Sequence, residues 1–321
     1  MTTSLPAVAR RAIDAALEYT IVPSFSEIGP TVRSRLDHWQ SLPSMADRNV
    51  VLTGGSGGIG RAIADQLVDL GATVVLTSRD AERATAVADE IDGRGTDGEA
   101  IGMSVDTGDF DSVDAFAAAV IGRLGTVDVL IHNAGALTDT YRTGDHGLEL
   151  TLASHLVGPY RLTMALRDHL ADGARVLWMS SGGMYSQGLD VDRLQMTPDD
   201  YKGAVAYARA KRAQVELVRH LAPTWAPGVV MHSMHPGWVD TDGVTASLPG
   251  FSTVMGPILR SVDQGADTMT WLAAGGADDD PPGGFYLDRR PRGTAYVPGT
   301  DTNPDERSRL LRWLQEVQHH G

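Results

Sequence analysis

The sequence predicts an α/β fold: a single doubly wound parallel sheet of about seven strands, flanked by helices. From Asn49 onward, short apolar runs alternate with helix-period stretches of ten or more residues. A glycine-dense turn, Thr53-Gly-Gly-Ser-Gly-Gly-Ile-Gly60, separates the first strand-like run from the first helix-like run. Short buried strands joined by helical crossovers pair in parallel and need helices on both faces. The 321 residues, 42% hydrophobic and 21% charged, suit a soluble globular chain with a substantial core.

Residues 1–46 carry Pro6, Pro23, Pro30 and Pro43 among short amphipathic pieces and are expected to form an N-terminal arm. No strand-like run lies within the arm, so its removal should leave the sheet folded. The main domain, residues 47–298, contains strand-like runs at Val50–Leu52, Thr73–Thr77, Ala100–Val105, Val127–Ile131, Arg175–Met179 and Val229–Ser233, with Gly283–Asp288 as a seventh. In residues 299–321, Leu310, Leu311, Leu314 and Val317 fall at helical spacing and predict a docked tail helix.

Charge and composition exclude several functions. A net charge of −14 with no long basic run repels nucleic-acid backbones and anionic lipid heads. The absence of cysteine rules out disulfides, thiol nucleophiles and zinc–thiolate sites, and suits a reducing cytoplasm. The N-terminus becomes charged at Arg10-Arg11 before any secretory apolar stretch, and no apolar run is long enough to span a bilayer. Histidines 132, 146, 169, 232 and 235 form no metal-ligand pattern with acidic partners, so no catalytic metal is expected.

The glycine turn fits three overlapping dinucleotide patterns: Gly55/Gly57/Gly60, Gly54/Gly57/Gly60 and Gly54/Gly58/Gly60. In each, glycines let backbone N–H groups and a helix N-terminus approach a pyrophosphate, with Ser56 and Ile59 on the same turn. The second strand ends Leu76-Thr-Ser-Arg79, with a basic rather than an acidic tip. Arg79 favours the 2′-phosphate of NADP(H) over NAD(H), unless it is an ordinary surface arginine ahead of the helix cap Asp80. Tyr207 and Lys211 stand four apart in Ala-Tyr-Ala-Arg-Ala-Lys. On a helix they share a face, where the ammonium can lower the phenol's pKa and suit it to acid–base work in hydride transfer.

Together these residues resemble the short-chain dehydrogenase/reductase family, over about residues 48 to 298. The resemblance implies a Rossmann-type fold. It also implies that Asp106 contacts the adenine, that Asn133-Ala134-Gly135 steadies the sheet beside the cofactor, and that Ser181 is the catalytic serine. By the same resemblance Pro236, Gly237, Val239 and Thr241 hold the nicotinamide amide. The stretches Ser180-Ser-Gly-Gly-Met184, Met234-His-Pro-Gly-Trp238 and Tyr286-Leu-Asp-Arg-Arg-Pro291 look like the dehydrogenase/reductase member 12 subgroup, which also carries an N-terminal arm.

The resemblance implies hydride transfer between NADPH and a carbonyl, with Tyr207 as acid, Ser181 on the carbonyl oxygen and Lys211 on the ribose. Ser181 alone could equally be a turn-capping serine. Before Gly158-Pro-Tyr160, where the family usually has a catalytic Asn, this chain has His155. It either replaces the Asn in a proton relay through its ring nitrogens or is an ordinary helix histidine. The long interval from Ser181 to Tyr207 predicts a flap, and Met184, Trp238, Leu248, Phe251 and Met255 an apolar mouth for a ketone, aldehyde or secondary alcohol. A non-catalytic NADP(H) sensor, an extended sugar-nucleotide enzyme, a scaffold with peripheral membrane contact through the arm, and a homo-oligomer stay open.

Overall fold

In β1 (Asn49–Leu52), Val50 and Leu52 turn to one face of the sheet and Val51 to the other, and all three are fully buried. The two-residue alternation continues in β2 (Thr73–Ser78), where Val74 and Leu76 join the first face and Val75 the second. Burial on both sides is why these strands read as continuous apolar runs. The computed structural model describes residues 6–135, 137–144, 147–241 and 256–319. Its remaining strands are β3 (Glu99–Ser104), β4 (Val127–His132), β5 (Leu170–Met179), β6 (Val229–Met234), β7 (Phe285–Leu287) and β8 (Arg290–Pro291). They form one sheet in the order β3-β2-β1-β4-β5-β6-β7-β8, parallel except for the last pair.

Three arm helices come first in the chain: α1 (Ala7–Tyr19), the single turn α2 (Val22–Phe25) and α3 (Ile28–Asp37). They are followed by α4 (Gly58–Asp69), α5 (Ala81–Asp92), α6 (Phe110–Leu124), the short α7 (Leu150–Leu152), α8 (Gly158–Leu166) and α9 (Gly203–Trp225). Helices α10 (Val262–Ala273) and α11 (Pro304–His319) complete the order. Ile63 and Leu67 of α4, Ile91 of α5 and Met269 of α10 cover one face of the sheet. Val113 of α6, Leu162 of α8, Leu217 of α9 and Leu310 and Leu314 of α11 cover the other. The starts of these helices follow their caps. Asp80 accepts the N–H groups of Glu82 and Arg83, Asp109 accepts that of Ser112, and Ser261 with Gln264 closes a capping box.

The eighth strand was not expected from the sequence. It arises from a two-residue turn in which Asp288 and Arg289 both take positive φ, 53° and 55°, pairing Leu287 with Arg290. Such turns usually carry Asn or Gly, and here buried ion pairs to the Asp288 carboxylate hold the strained backbone instead. The interval between Ser181 and Tyr207 also differs from a flap: Leu189, Val191 and Leu194 are buried in the same cluster as Leu310 and Leu314. Its apolar residues serve the core.

Candidate active site

The strand order reverses direction between β1 and β4, and in open parallel sheets ligands bind in the crevice beyond the carboxyl ends of the strands at such a point. The glycine turn leaves β1 there and opens α4. Gly54 and Gly58 sit at φ 70° and 53°, in the left-handed region. A Cβ on Gly60 would stand 2.0 Å from the Gly54 oxygen, whereas one on Gly57 would meet only the flexible end of Arg83. Gly57 is extended at φ −175°. The pattern that the backbone requires is therefore Gly54/Gly58/Gly60. No side chain caps the start of α4, which leaves its N–H groups able to face an anion.

The Asn133-Ala134-Gly135 segment ties this turn to the next strand. The Asn133 side-chain amide donates to the carbonyls of Thr53 and Gly54, at 3.1 and 3.0 Å, and Ala134 lies so close to Gly54 that a Cβ there would come within 2.8 Å of it. Thr241 closes the opposite side, with its methyl 3.6 Å from the place of a Cβ on Gly58. Val239 is buried and pairs with Arg260, and Gly237 takes φ 78°. Asp106 accepts the Gly108 N–H at 2.9 Å, which fixes its carboxylate at the end of β3. Arg79 is exposed at the tip of β2. The sequence reading missed a second guanidinium, Arg83, whose Nη2 donates to the Ser56 carbonyl at 3.4 Å. Its position one turn into α5, four residues past Arg79, was the available signal.

Ser181 lies two residues past the end of β5 and caps the turn that follows, accepting the Gly183 N–H at 3.2 Å. It also lies close enough to Tyr207 to act on the phenol's pKa, so its capping and its place in the cluster are not alternatives. Lys211 is almost wholly buried and donates from Nζ to the Met179 carbonyl at 2.7 Å. The expected depression of the Tyr207 pKa by Lys211 is not what this arrangement produces. Burial raises the phenol above its ordinary value and the Ser181 side chain offsets only part of that, while burial pushes Lys211 down to about 7. The ammonium points at β5 and lies 5.4 Å from the tyrosine ring centroid.

His155 is fully buried in a π turn, Ala153–Val157, between α7 and α8. Gln214, one turn beyond Lys211 on α9, donates to the His155 carbonyl at 2.6 Å. Three atoms of the His155 ring lie 2.5–2.9 Å from where a Cβ on Gly135 would stand. One path of contacts thus runs from the glycine turn through Ala134-Gly135 and His155 to Tyr207 and Ser181. On the substrate side, Met184 is completely buried in core rather than at a mouth. Trp238 is half-buried against Phe25, and Leu248, Phe251 and Met255 lie outside the described residues.

The short chain dehydrogenase family model matches residues 48–249. The chain belongs to the short-chain dehydrogenase/reductase family. Among its relatives, dehydrogenase/reductase SDR family member 12 of Bos taurus is 38% identical over 278 residues, covering 84% of this chain and 86% of that protein. Retinol dehydrogenase 13 of Homo sapiens is 27% identical over 88% of this chain and 87% of its own. A short chain dehydrogenase from Burkholderia cenocepacia J2315, solved in complex with NADP, superposes with a TM-score of 0.60 at 26% identity, over 75% of this chain and 96% of that one. As a short-chain dehydrogenase/reductase, the chain is an NAD(P)-binding oxidoreductase acting on alcohol and carbonyl groups of small molecules. Among the described residues, no helix is long and apolar enough to cross a membrane.

Proposed function

We propose that the protein is an NADP(H)-dependent reductase of apolar ketones or aldehydes, working in the cytoplasm, with the reverse oxidation of secondary alcohols at the same site. The reading rests on the contact path that brings Ser181, Tyr207, Lys211 and His155 to the cofactor-type turn at the carboxyl ends of the strands. NADPH, when bound, supplies the hydride. Tyr207, protonated at neutral pH because burial raises its pKa, gives the carbonyl oxygen its proton. Ser181 donates a hydrogen bond to that oxygen as charge develops. Lys211, titrating near neutrality, can return a proton toward Tyr207. The residues suit the dinucleotide: Gly54, Gly58 and Gly60 carry no side chain on the turn, Arg79 and Arg83 would supply charge for a 2′-phosphate, and Asp106, held by the Gly108 N–H, is the residue that by the family resemblance would meet the adenine.

The test is activity profiling with NADPH and NADH over apolar ketones and aldehydes, and with NADP⁺ over secondary alcohols. Carbonyl-dependent NADPH consumption is the expected result. Tight NADPH binding with no turnover across the panel would indicate a sensor, and failure to bind either cofactor would overturn the reading.

A further inference from the structure

Residues 24–26 of the arm run alongside the segment 236–240. The Phe25 carbonyl accepts the Trp238 N–H at 2.7 Å and, together with the Ser26 carbonyl, the Arg260 Nε at 2.9 and 3.2 Å. Arg260 in turn pairs through its backbone with Trp238 and Asp240. At Gly237 a Cβ would stand 2.3 Å from Arg260 Nε and 2.7 Å from the Phe25 oxygen, so arm, guanidinium and segment leave no slack between them. The Phe25 ring faces the other way. Its Cε2 lies 2.4 Å from where a Cβ on Gly182 would stand, immediately after Ser181, and its centroid is 5.5 Å from Trp238 and 4.6 Å from His235.

A single helical turn such as α2 does not hold itself. Arg33 holds the residue before Phe25: it is completely buried, donates to the Ser24 hydroxyl at 2.8 Å, and is bound to Asp14 at 2.7 Å, Glu18 at 3.1 Å and Asp288 at 2.6 Å. The Asp288 carboxylate is shared with Arg260, also at 2.6 Å. Buried ion pairs add little net stability over apolar packing, and their best-attested use is to fix one arrangement among several. We propose that the arm is a wall of the catalytic centre, in which Phe25 is a positioning residue that sets the Ser181 turn against the segment 236–239, and the Arg33–Asp288–Arg260 network fixes Phe25. This rests on the functional reading given above.

The test is a compensation experiment on the full chain with Gly182→Ala, Phe25→Leu, the double variant and Tyr207→Phe as the inactive control. Each is measured by NADPH fluorescence titration, by turnover of benzaldehyde with NADPH, and by amide exchange over residues 181–184 and 236–239 without cofactor. Gly182→Ala should drive its methyl into the Phe25 ring and lower turnover roughly tenfold or more, since misplacement of about 1 Å near the chemistry costs up to 10². NADPH affinity should change much less. Leucine has no atom where the phenyl Cε2 stood, so the double variant should regain most of the turnover and the parent's exchange at 181–184. If Phe25 did not set the Ser181 turn, the two changes would act independently on turnover and the second would restore nothing. A double variant no more active than Gly182→Ala, with exchange no slower, would overturn the proposal. Should Gly182→Ala not fold, Phe25→Leu alone must speed exchange in both segments more than in β1 and β4, and uniform change would refute the wall. A parent that neither binds NADPH nor turns over defeats the functional reading instead, and the exchange results still decide the contact.

Discussion

The ring of His155 stands edge-on to Tyr207, with centroids 5.3 Å apart and planes at 82°. A histidine at the position of the usual Asn is thereby in direct contact with the tyrosine proposed as proton donor, and the Gln214–carbonyl bond and the π turn hold it there. Single π turns inside helices recur at functional sites. His155→Asn should keep most activity, because an amide can still serve a relay, whereas His155→Leu should lose it. Gly135→Ala should act like the leucine variant by pushing the ring away. Turnover against pH at saturating NADPH decides this: a limb of the parent profile that is absent in His155→Asn marks a relay. Superimposable profiles for parent and leucine variant would make His155 a packing residue.

Tyr207→Phe removes the proposed proton donor but leaves the ring against His155, so turnover should fall by about 10² or more while NADPH affinity stays nearly intact. Single-turnover reduction measured beside a binding titration separates the two effects. Parent-like turnover would assign the acid elsewhere.

Arg83 of α5 meets the glycine turn at the Ser56 carbonyl, and Arg79 lies exposed just past the end of β2. Arg79→Asp should weaken NADPH far more than NADH, since a repulsion replaces an attraction for the 2′-phosphate. Arg79→Asp with Arg83→Ala should shift the preference further. Titration of both cofactors against the three proteins reads this directly, and equal losses for NADPH and NADH would make both arginines surface residues.

The sheet was legible because fully buried parallel strands and helix caps write themselves as apolar runs and as Asp80, Asp109 and Ser261. The glycine turn was legible where the backbone needs a residue type, a positive φ at Gly54 and Gly58, and the spacing of Tyr207 and Lys211 was legible as a pair on one helix. What escaped depends on contacts distant in sequence. Arg33 meets Asp288 across 255 positions, and nothing local to either residue marks them as buried partners. Met184 looked like a mouth residue because apolarity near a catalytic serine does not reveal which way a side chain points. The arm's packing also changes what truncation should do. Loss of residues 1–46 leaves Asp288 and Arg260 without Arg33 and the Ser24, Phe25 and Ser26 carbonyls, so lowered stability is now expected in place of an undisturbed sheet.

Buried neutral histidines should make stability fall as the solution is acidified. Burial holds His132 at about 3, lowers His232, and with the nearby Arg260, Arg292 and Arg33 holds His235 well below the ordinary value. Each takes up a proton on unfolding once the pH is below the unfolded pKa of about 6.5. The stability each contributes is therefore complete above that pH and is lost as pH falls toward its folded pKa, at up to about 1.4 kcal/mol per pH unit per group. His235 is the sharpest case: its ring packs between Phe25 and Phe285, and among the described residues neither ring nitrogen finds a hydrogen-bond partner. His235→Phe keeps the aromatic packing and removes the titration, so urea unfolding should show equal or greater stability near neutrality and a shallower decline between about pH 6.5 and about pH 5. A variant whose stability declines with pH as steeply as the parent's would mean that His235 does not gain its proton on unfolding, and that a neighbour titrates in its place.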